Sequence, residues 1–206
     1  MAESADTQVQ ATVWLEPEQV EQLRTACYQV GAEYLQQRNE AIVATMYDTG
    51  LRVGELVAVD VEMLRDDNSK LYLPGHVQKD YPTDNSPSAV TIELAADTSR
   101  LLSSYLAARW KDSSALFPSR SSPRISTEGV RNLLSRVAEA AEVRPYHVDG
   151  TRGEPGDVTP HALRHSVAYR MMNAEDEEHS LYDVRNRLRH RSIQTTERIY
   201  DHMRTV

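Results

Sequence analysis

Cysteine is almost missing from this 206-residue chain, where Cys27 stands alone. One thiol excludes an intramolecular disulfide and a cluster of thiolate metal ligands. No run is apolar enough to span a membrane. The opening MAESADTQVQ has neither the basic start nor the apolar centre of a secretory signal. A soluble cytoplasmic protein with no membrane partner is expected. Lysine is scarce as well: only Lys70, Lys79 and Lys111 occur among 23 Lys and Arg, against 31 Asp and Glu. An acid-rich, lysine-poor surface suits high salt, where like-charge repulsion is screened, and suggests a halophilic source.

A net charge of −8 argues against nucleic acid when averaged over the chain. The distribution argues the other way. Residues 1–119 carry 9 Lys/Arg against 18 Asp/Glu, whereas residues 120–206 carry 14 against 13. From Arg185 to Arg204 six arginines face only Glu197 and Asp201. Positive charge therefore collects at the C-terminal end.

At this length one domain with a proper core is the default. Residues 1–13 are polar and patternless and read as a disordered lead. The apolar spacing from Leu15 to Tyr47 is helical, with Val20, Leu23 and Cys27 on one face and NEAIVATMY (Asn39 to Tyr47) apolar enough to be buried. Asp48-Thr49-Gly50 breaks it, and another helix starts within Leu51 to Val59. KLYLP (Lys70 to Pro74) and AVTIEL (Ala89 to Leu94) alternate and read as strands, with Gly75 to Lys79 a candidate third. Tyr81 to Ser88 is turn and loop. Thr98 to Trp110 and Thr127 to Ala141 return to helical period, and Val143 to Val158 is a Gly- and Pro-rich loop. The expected fold is mainly α with a small antiparallel β-sheet, an α+β domain without repeats.

The chemistry gathers between Thr159 and His202. Thr159 suits an N-cap and Pro160 the first helical position. A helix from there puts His161, Arg164, His165 and Ala168 on one face, the first of them at an N-terminus that favours anions. Ser192 suits the N-cap of a helix over Ile193 to Met203, which sets Thr196 and Tyr200 one above the other, with His190 in the preceding turn. Cations, imidazoles and a phenol are what an attack of tyrosine on a phosphodiester requires. Each residue also has an ordinary reading. Tyr200 is one of ten tyrosines, Arg164 one of many helix arginines, Lys79 a solvent-facing loop lysine, and Arg52 a partner for Glu55 on its own helix. The Arg185 to Arg191 run also reads as a solvated face. His161 and His165 at i, i+4 are spaced like a zinc pair, but Ala162 stands where a metalloprotease needs Glu and no third ligand follows, so no metal is expected.

The order of these segments resembles the tyrosine recombinase (phage integrase) family over roughly residues 14–204. TGLRVGEL (Thr49 to Leu56) is similar to the family's first arginine box, and the strand region holding Lys79 to its β-hairpin. LFPS (Leu116 to Ser119) is similar to its mid-domain marker. HALRHSVAYRM matches the H-x-L-R-H box and LRHRSIQTTERIY the box that ends in the nucleophile. The resemblance implies catalytic Arg52, Lys79, His161, Arg164, His190 and Tyr200, with Glu55 and His165 as accessory groups. It implies site-specific breakage and rejoining of double-stranded DNA by a homo-oligomer through a 3′-phosphotyrosyl intermediate, for integration, excision or resolution of a mobile element. The setting would be the nucleoid and the source haloarchaeal. Arg189, where the family usually has glycine, and Arg191 are candidate DNA contacts. Residues 14–206 then form a catalytic domain. The family's N-terminal DNA-clamping domain is expected to be absent, which leaves three readings: a partner DNA-binding protein supplies the grip, the chain is a fragment, or it is a minimal enzyme.

The physical roles follow from the residue types. A phenol with a pKa near 10 is a weak nucleophile at neutral pH. The two guanidiniums of Arg52 and Arg164 match the non-bridging oxygens as charged planar forks. On the resemblance, His190 would add a donor, His161 would assist the tyrosine proton and Lys79 would protonate the leaving 5′ oxygen. The phosphoester bond energy is kept in the covalent intermediate, so neither ATP nor a metal cofactor is expected. Three rivals remain: a non-catalytic DNA-binding or regulatory relative with the same fold, a metal-dependent hydrolase on His161 and His165, and a relaxing topoisomerase.

Overall fold

The structure is a computed structural model and describes residues 13–78, 87–174, 179–190, 192–200 and 203. Among the described residues the first element is strand β1 (Val13–Trp14), followed by helices α1 (Pro17–Ala26), α2 (Glu33–Thr49) and α3 (Val53–Ala58). Strands β2 (Leu64–Arg65), β3 (Lys70–Leu73) and β4 (Val90–Glu93) come next, then helices α4 (Ala96–Ala108) and α5 (Thr127–Ala140). Strand β5 (Tyr146–His147) precedes helices α6 (Pro160–Met172), α7 (Leu181–Leu188) and α8 (Ile193–Tyr200). The expected class, mainly helical with small antiparallel sheets, is what is found.

Helix α2 is the central rod. Ala41, Ile42, Val43 and Met46 are fully enclosed, as the apolar run NEAIVATMY predicts. Helices α1, α4, α5 and α6 pack around it. Each buried Ile, Val or Met contributes roughly 1.5–3 kcal/mol by leaving water, so this helix anchors whatever is built on its end. The α5 stripe of Val130, Leu133, Leu134, Val137 and Ala138 is buried as its spacing requires. Within the LFPS segment Leu116 and Phe117 are core residues. Tyr105 donates to the Leu116 carbonyl at 2.9 Å, and Arg38 of α2 donates to that of Pro118 at 2.8 Å.

Several boundaries differ from the sequence expectation. The helical run from Leu15 to Tyr47 is two helices, parted by a turn with Gly31 at φ 84°. The third strand is β2; in the candidate segment Gly75 to Lys79 a 3₁₀ turn occupies Gly75–Val77, where Gly75 has room for no side chain beside the Pro87 carbonyl, and Lys79 lies outside the described residues. The sheet order is β2-β3-β4, antiparallel throughout, with Leu71 opposite Ile92. Val13, placed at the end of a disordered lead, pairs with His147, so β1 and β5 form a second, two-stranded sheet. The Val143 to Val158 segment therefore holds a strand and a 3₁₀ turn within its loop. Helix α7 was not anticipated, because its arginines hide a short apolar stripe of Val184 and Leu188.

Candidate active site

The site begins at Gly50. Helix α2 ends there in the left-handed region, at φ 63° and ψ 26°. A Cβ on Gly50 would lie 2.5 Å from Leu188 Cδ2, so backbone and packing both demand glycine. The turn delivers Arg52 in extended conformation just before α3. The Arg52 amide donates to Glu55 Oε2 at 2.8 Å, and its guanidinium donates to Glu55 Oε1 at 3.0 Å. Glu55 is 2 % exposed, and the guanidiniums of Arg189 and Arg52 outweigh its burial and hold its carboxyl below the usual range.

The opposite wall comes from α6. Thr159 Oγ1 accepts from the Ala162 amide at 3.2 Å, the expected N-cap, and Pro160 takes the first helical position. One turn on, the buried Arg164 donates to the carbonyls of Gly50 and Leu188, which fixes its guanidinium between α2 and α7. Burial, then the guanidiniums of Arg52 and Arg189, weaken its hold on its proton. An arginine nonetheless stays charged at any working pH. A cleft of about 290 Å³ is lined by Arg52, Arg131, Thr159, Pro160, His161 and Arg164, together with Val53. Arg52 and Arg164, distant in sequence, thus face one cleft.

Tyr200 lies behind this cleft rather than in it. It is 1 % exposed, and its hydroxyl is 3.0 Å from Nδ1 of His165. Its ring stacks on His190 at 5.7 Å and meets His165 edge-on at 5.4 Å. His161 in turn meets His165 edge-on at 4.4 Å, so one aromatic series links cleft to phenol. Burial pushes the phenol up to about 12, with Arg164 and Arg52 acting in the opposite direction. Burial and the nearby cations, Arg164 and Arg52 foremost, push His190 down to about 3, so its ring is neutral at ordinary pH. Nδ1 of His190 is 2.9 Å from Oγ1 of Thr196, one turn before Tyr200 on α8.

The structure thus brings together Arg52, Glu55, His161, Arg164, His165, His190 and Tyr200. Two placements bear on the expected roles. The phenol's partner is His165, one helical turn further along α6 than His161. Arg189, expected to meet DNA, turns inward with its side chain 7 % exposed and reaches Glu55 Oε2 at 2.8 Å. Its backbone caps α7 at φ 56° and ψ 45°, a conformation costing a non-glycine residue about 1–2 kcal/mol, and the Glu55 carboxylate is what its guanidinium meets inside. Arg187 is likewise structural, donating to the Asp48 and Glu93 carbonyls at 2.7 and 2.9 Å. Lys79 and Arg191 lie outside the described residues. Sequence reasoning missed Arg131. On α5 it falls outside the buried stripe and looks like any surface arginine, and only its proximity to Arg52 across the fold singles it out. Among the described residues no group of three or more His, Cys, Asp or Glu is gathered as a metal would need.

A helical domain thus sets two anchored guanidiniums beside a histidine-lined tyrosine. The chain belongs to the phage integrase family, whose model matches residues 13–205. It is 34 % identical over 171 residues to tyrosine recombinase XerC of Roseiflexus castenholzii, covering 81 % of this chain and 48 % of that protein. It is 33 % identical over 167 residues to XerC of Salmonella typhi, again covering 81 % of this chain and 48 % of the relative. The chain therefore spans about half the length of these relatives. Its fold is shared with the XerA recombinase (TM-score 0.69, 22 % identity, 94 % of this chain and 60 % of the other). It is shared also with the catalytic domain of bacteriophage HP1 integrase (TM-score 0.59, 20 % identity, 94 % and 89 %).

Proposed function

We propose that this chain is the DNA-breaking and rejoining domain of a tyrosine-type site-specific recombinase. The observation that carries the reading is the convergence of Arg52, His161 and Arg164 on one cleft, with Tyr200 held directly behind it by His165 and His190. A DNA phosphate in the cleft would have its non-bridging oxygens between two guanidiniums whose positions are set by Glu55 and by main-chain carbonyls. Such preorganised charge stabilises the five-coordinate transition state. His190 is neutral and takes part in a hydrogen bond with Thr196. With Thr196 as donor, the ring proton sits on Nε2, free to be offered to an oxygen.

The reaction would run as a transesterification. The Tyr200 oxygen bonds to phosphorus, its proton leaves through the histidine series, and the 5′ oxygen departs with a proton for which Lys79 is the candidate donor. A 5′ hydroxyl of the partner strand reverses the step and releases Tyr200. One phosphoester replaces another at each stage, so the chemistry itself consumes no ATP and needs no metal. The buried phenol must first turn toward the cleft, which makes movement of α8 part of the cycle.

Double-stranded DNA is the proposed partner, bound by a homo-oligomer and helped by a further DNA-gripping domain or protein, within the cytoplasm. XerH, a recombinase of the same fold, has been solved bound to its difH substrate (TM-score 0.66, 20 % identity). The test is a nicked suicide DNA substrate run on a denaturing gel. Wild type is expected to form a covalent adduct and Tyr200→Phe none; absence of the wild-type adduct would favour a non-catalytic relative. For the proposed halophilic source, activity should rise toward molar salt, and full activity in dilute buffer would refute it.

A further inference from the structure

We propose that Arg189 is a positioning residue for the phosphate-binding pair, resting on the reading of the cleft given above. The turn between α7 and α8 places Arg189 where a left-handed backbone favours glycine, at φ 56°. At Arg189 that conformation comes with a set of close contacts. Those contacts are specific. Nη2 of Arg189 is 2.8 Å from Glu55 Oε2 and 3.4 Å from the Gly50 carbonyl. Nη1 reaches the carbonyls of Thr49 at 3.2 Å and Arg187 at 3.0 Å.

Two of these acceptors are shared with the cleft. Glu55 also accepts from Arg52, and the Gly50 carbonyl also accepts from Arg164. Arg189 therefore touches what holds each cleft guanidinium, and it is not among the residues that line the cleft. Its charge matters as much as its bonds. Glu55 on its own would offset half of the positive charge that Arg52 and Arg164 present. Arg189 offsets Glu55 instead, so the cleft keeps nearly two positive charges for a phosphate that gains negative charge in the transition state. The notion of a direct DNA contact at this position is replaced by an indirect one through Glu55.

The experiment compares wild type, Arg189→Gly, Arg189→Lys, Glu55→Gln and the Glu55→Gln/Arg189→Gly double variant. Single-turnover cleavage of the suicide DNA is read at saturating protein, and DNA affinity and melting temperature are measured separately. Glycine suits the backbone, so Arg189→Gly should fold. It should cleave roughly 10- to 100-fold more slowly, the usual scale for groups that support others, with DNA affinity changed less than about threefold. Lysine keeps the charge but not the fork, so it should lose several-fold. The double variant should cleave no more slowly than Glu55→Gln alone, because Arg189 acts through Glu55, whereas a merely structural role would lower the melting temperature of Arg189→Gly and leave cleavage by the folded protein unchanged. Wild-type cleavage by the Gly or Lys variant, a loss confined to affinity, or multiplicative effects with Glu55→Gln would overturn the proposal. If Arg189→Gly does not fold, the Lys variant decides. If the wild type forms no adduct, the recombinase reading falls instead. Arg189 is then judged by nitrogen NMR of the Arg52 guanidinium: faster proton exchange in Arg189→Gly supports the proposal and an unchanged signal overturns it.

Discussion

The Tyr200 hydroxyl and Nδ1 of His165 lie 3.0 Å apart, both side chains buried, whereas His161 is exposed at the cleft. The two histidines should therefore fail differently when truncated. His165→Ala leaves a buried phenol without its partner, a loss of about 1–3 kcal/mol. In a domain this size that lowers the melting temperature by roughly 2–4 °C per kcal/mol. His161→Ala should leave the melting temperature unchanged while slowing cleavage by roughly 100-fold or more, the scale of proton-transfer assistance. Calorimetry and adduct formation read the two quantities separately. Equal melting losses for both variants would refute the division of labour.

Stability should fall as the solution is acidified from neutrality. His190 in the folded state is pushed to about 3, while in the unfolded chain it titrates near 6.5. Between those values the unfolded chain binds more protons, so stability rises with pH. The contribution is complete above about 6.5 and is lost as pH drops toward 3. Glu55, held below the usual carboxylate range, adds a loss of the same sign at lower pH. Thermal melts from pH 7 to pH 5 should slope downward for wild type and flatten in His190→Asn. An equal slope in both would show that His190 is not the group responsible.

Which parts of this site were legible in the sequence follows from the range of the interactions involved. Thr159 as cap, the face of His161, Arg164 and His165, and the Gly50 break are local, and residue spacing encodes them. That Arg52 and Arg164 face one cleft came from motif order, since no local rule links positions so far apart. The inward turn of Arg189 was illegible. It depends on Glu55 lying under the α7 turn, and a run of arginines looks the same whether it faces solvent or a buried carboxylate. Arg131 was missed for the same reason: membership of a cleft is a property of the fold. The strand β1 escaped because two residues carry no alternation, and its stacking of Trp14 on Tyr146 and Tyr169 joins segments far apart in sequence.

Arg131 should act on binding rather than on stability. Its ion pair with Glu128, one turn away on α5, spans 3.4 Å with both side chains more than half exposed, so it is worth little to the fold. Arg131→Ala should leave the stability within about 0.5 kcal/mol of wild type. If the cleft receives a DNA phosphate, the variant should bind DNA more weakly. The slope of log affinity against log salt should fall by about one. An unchanged slope would place this side chain off the DNA path.

Gly50→Ala tests whether the turn holds the site together. A side chain at φ 63° costs about 1–2 kcal/mol, and its Cβ would overlap Leu188 Cδ2, which adds roughly 1–3 kcal/mol of crowding. Both strains act on Arg164, whose acceptors are the carbonyls of Gly50 and Leu188. The variant should melt roughly 5–15 °C lower. It should also cleave slowly at temperatures where it is fully folded, because the guanidinium loses its two anchors together. Gly54→Ala is the control: no atom lies within 4 Å of a Cβ there, and alanine in a helix is favoured by about 0.5–1 kcal/mol. It should melt at or above the wild-type temperature. Were Gly50→Ala to retain wild-type cleavage once folded, the carbonyls of Gly50 and Leu188 would not be what aims Arg164.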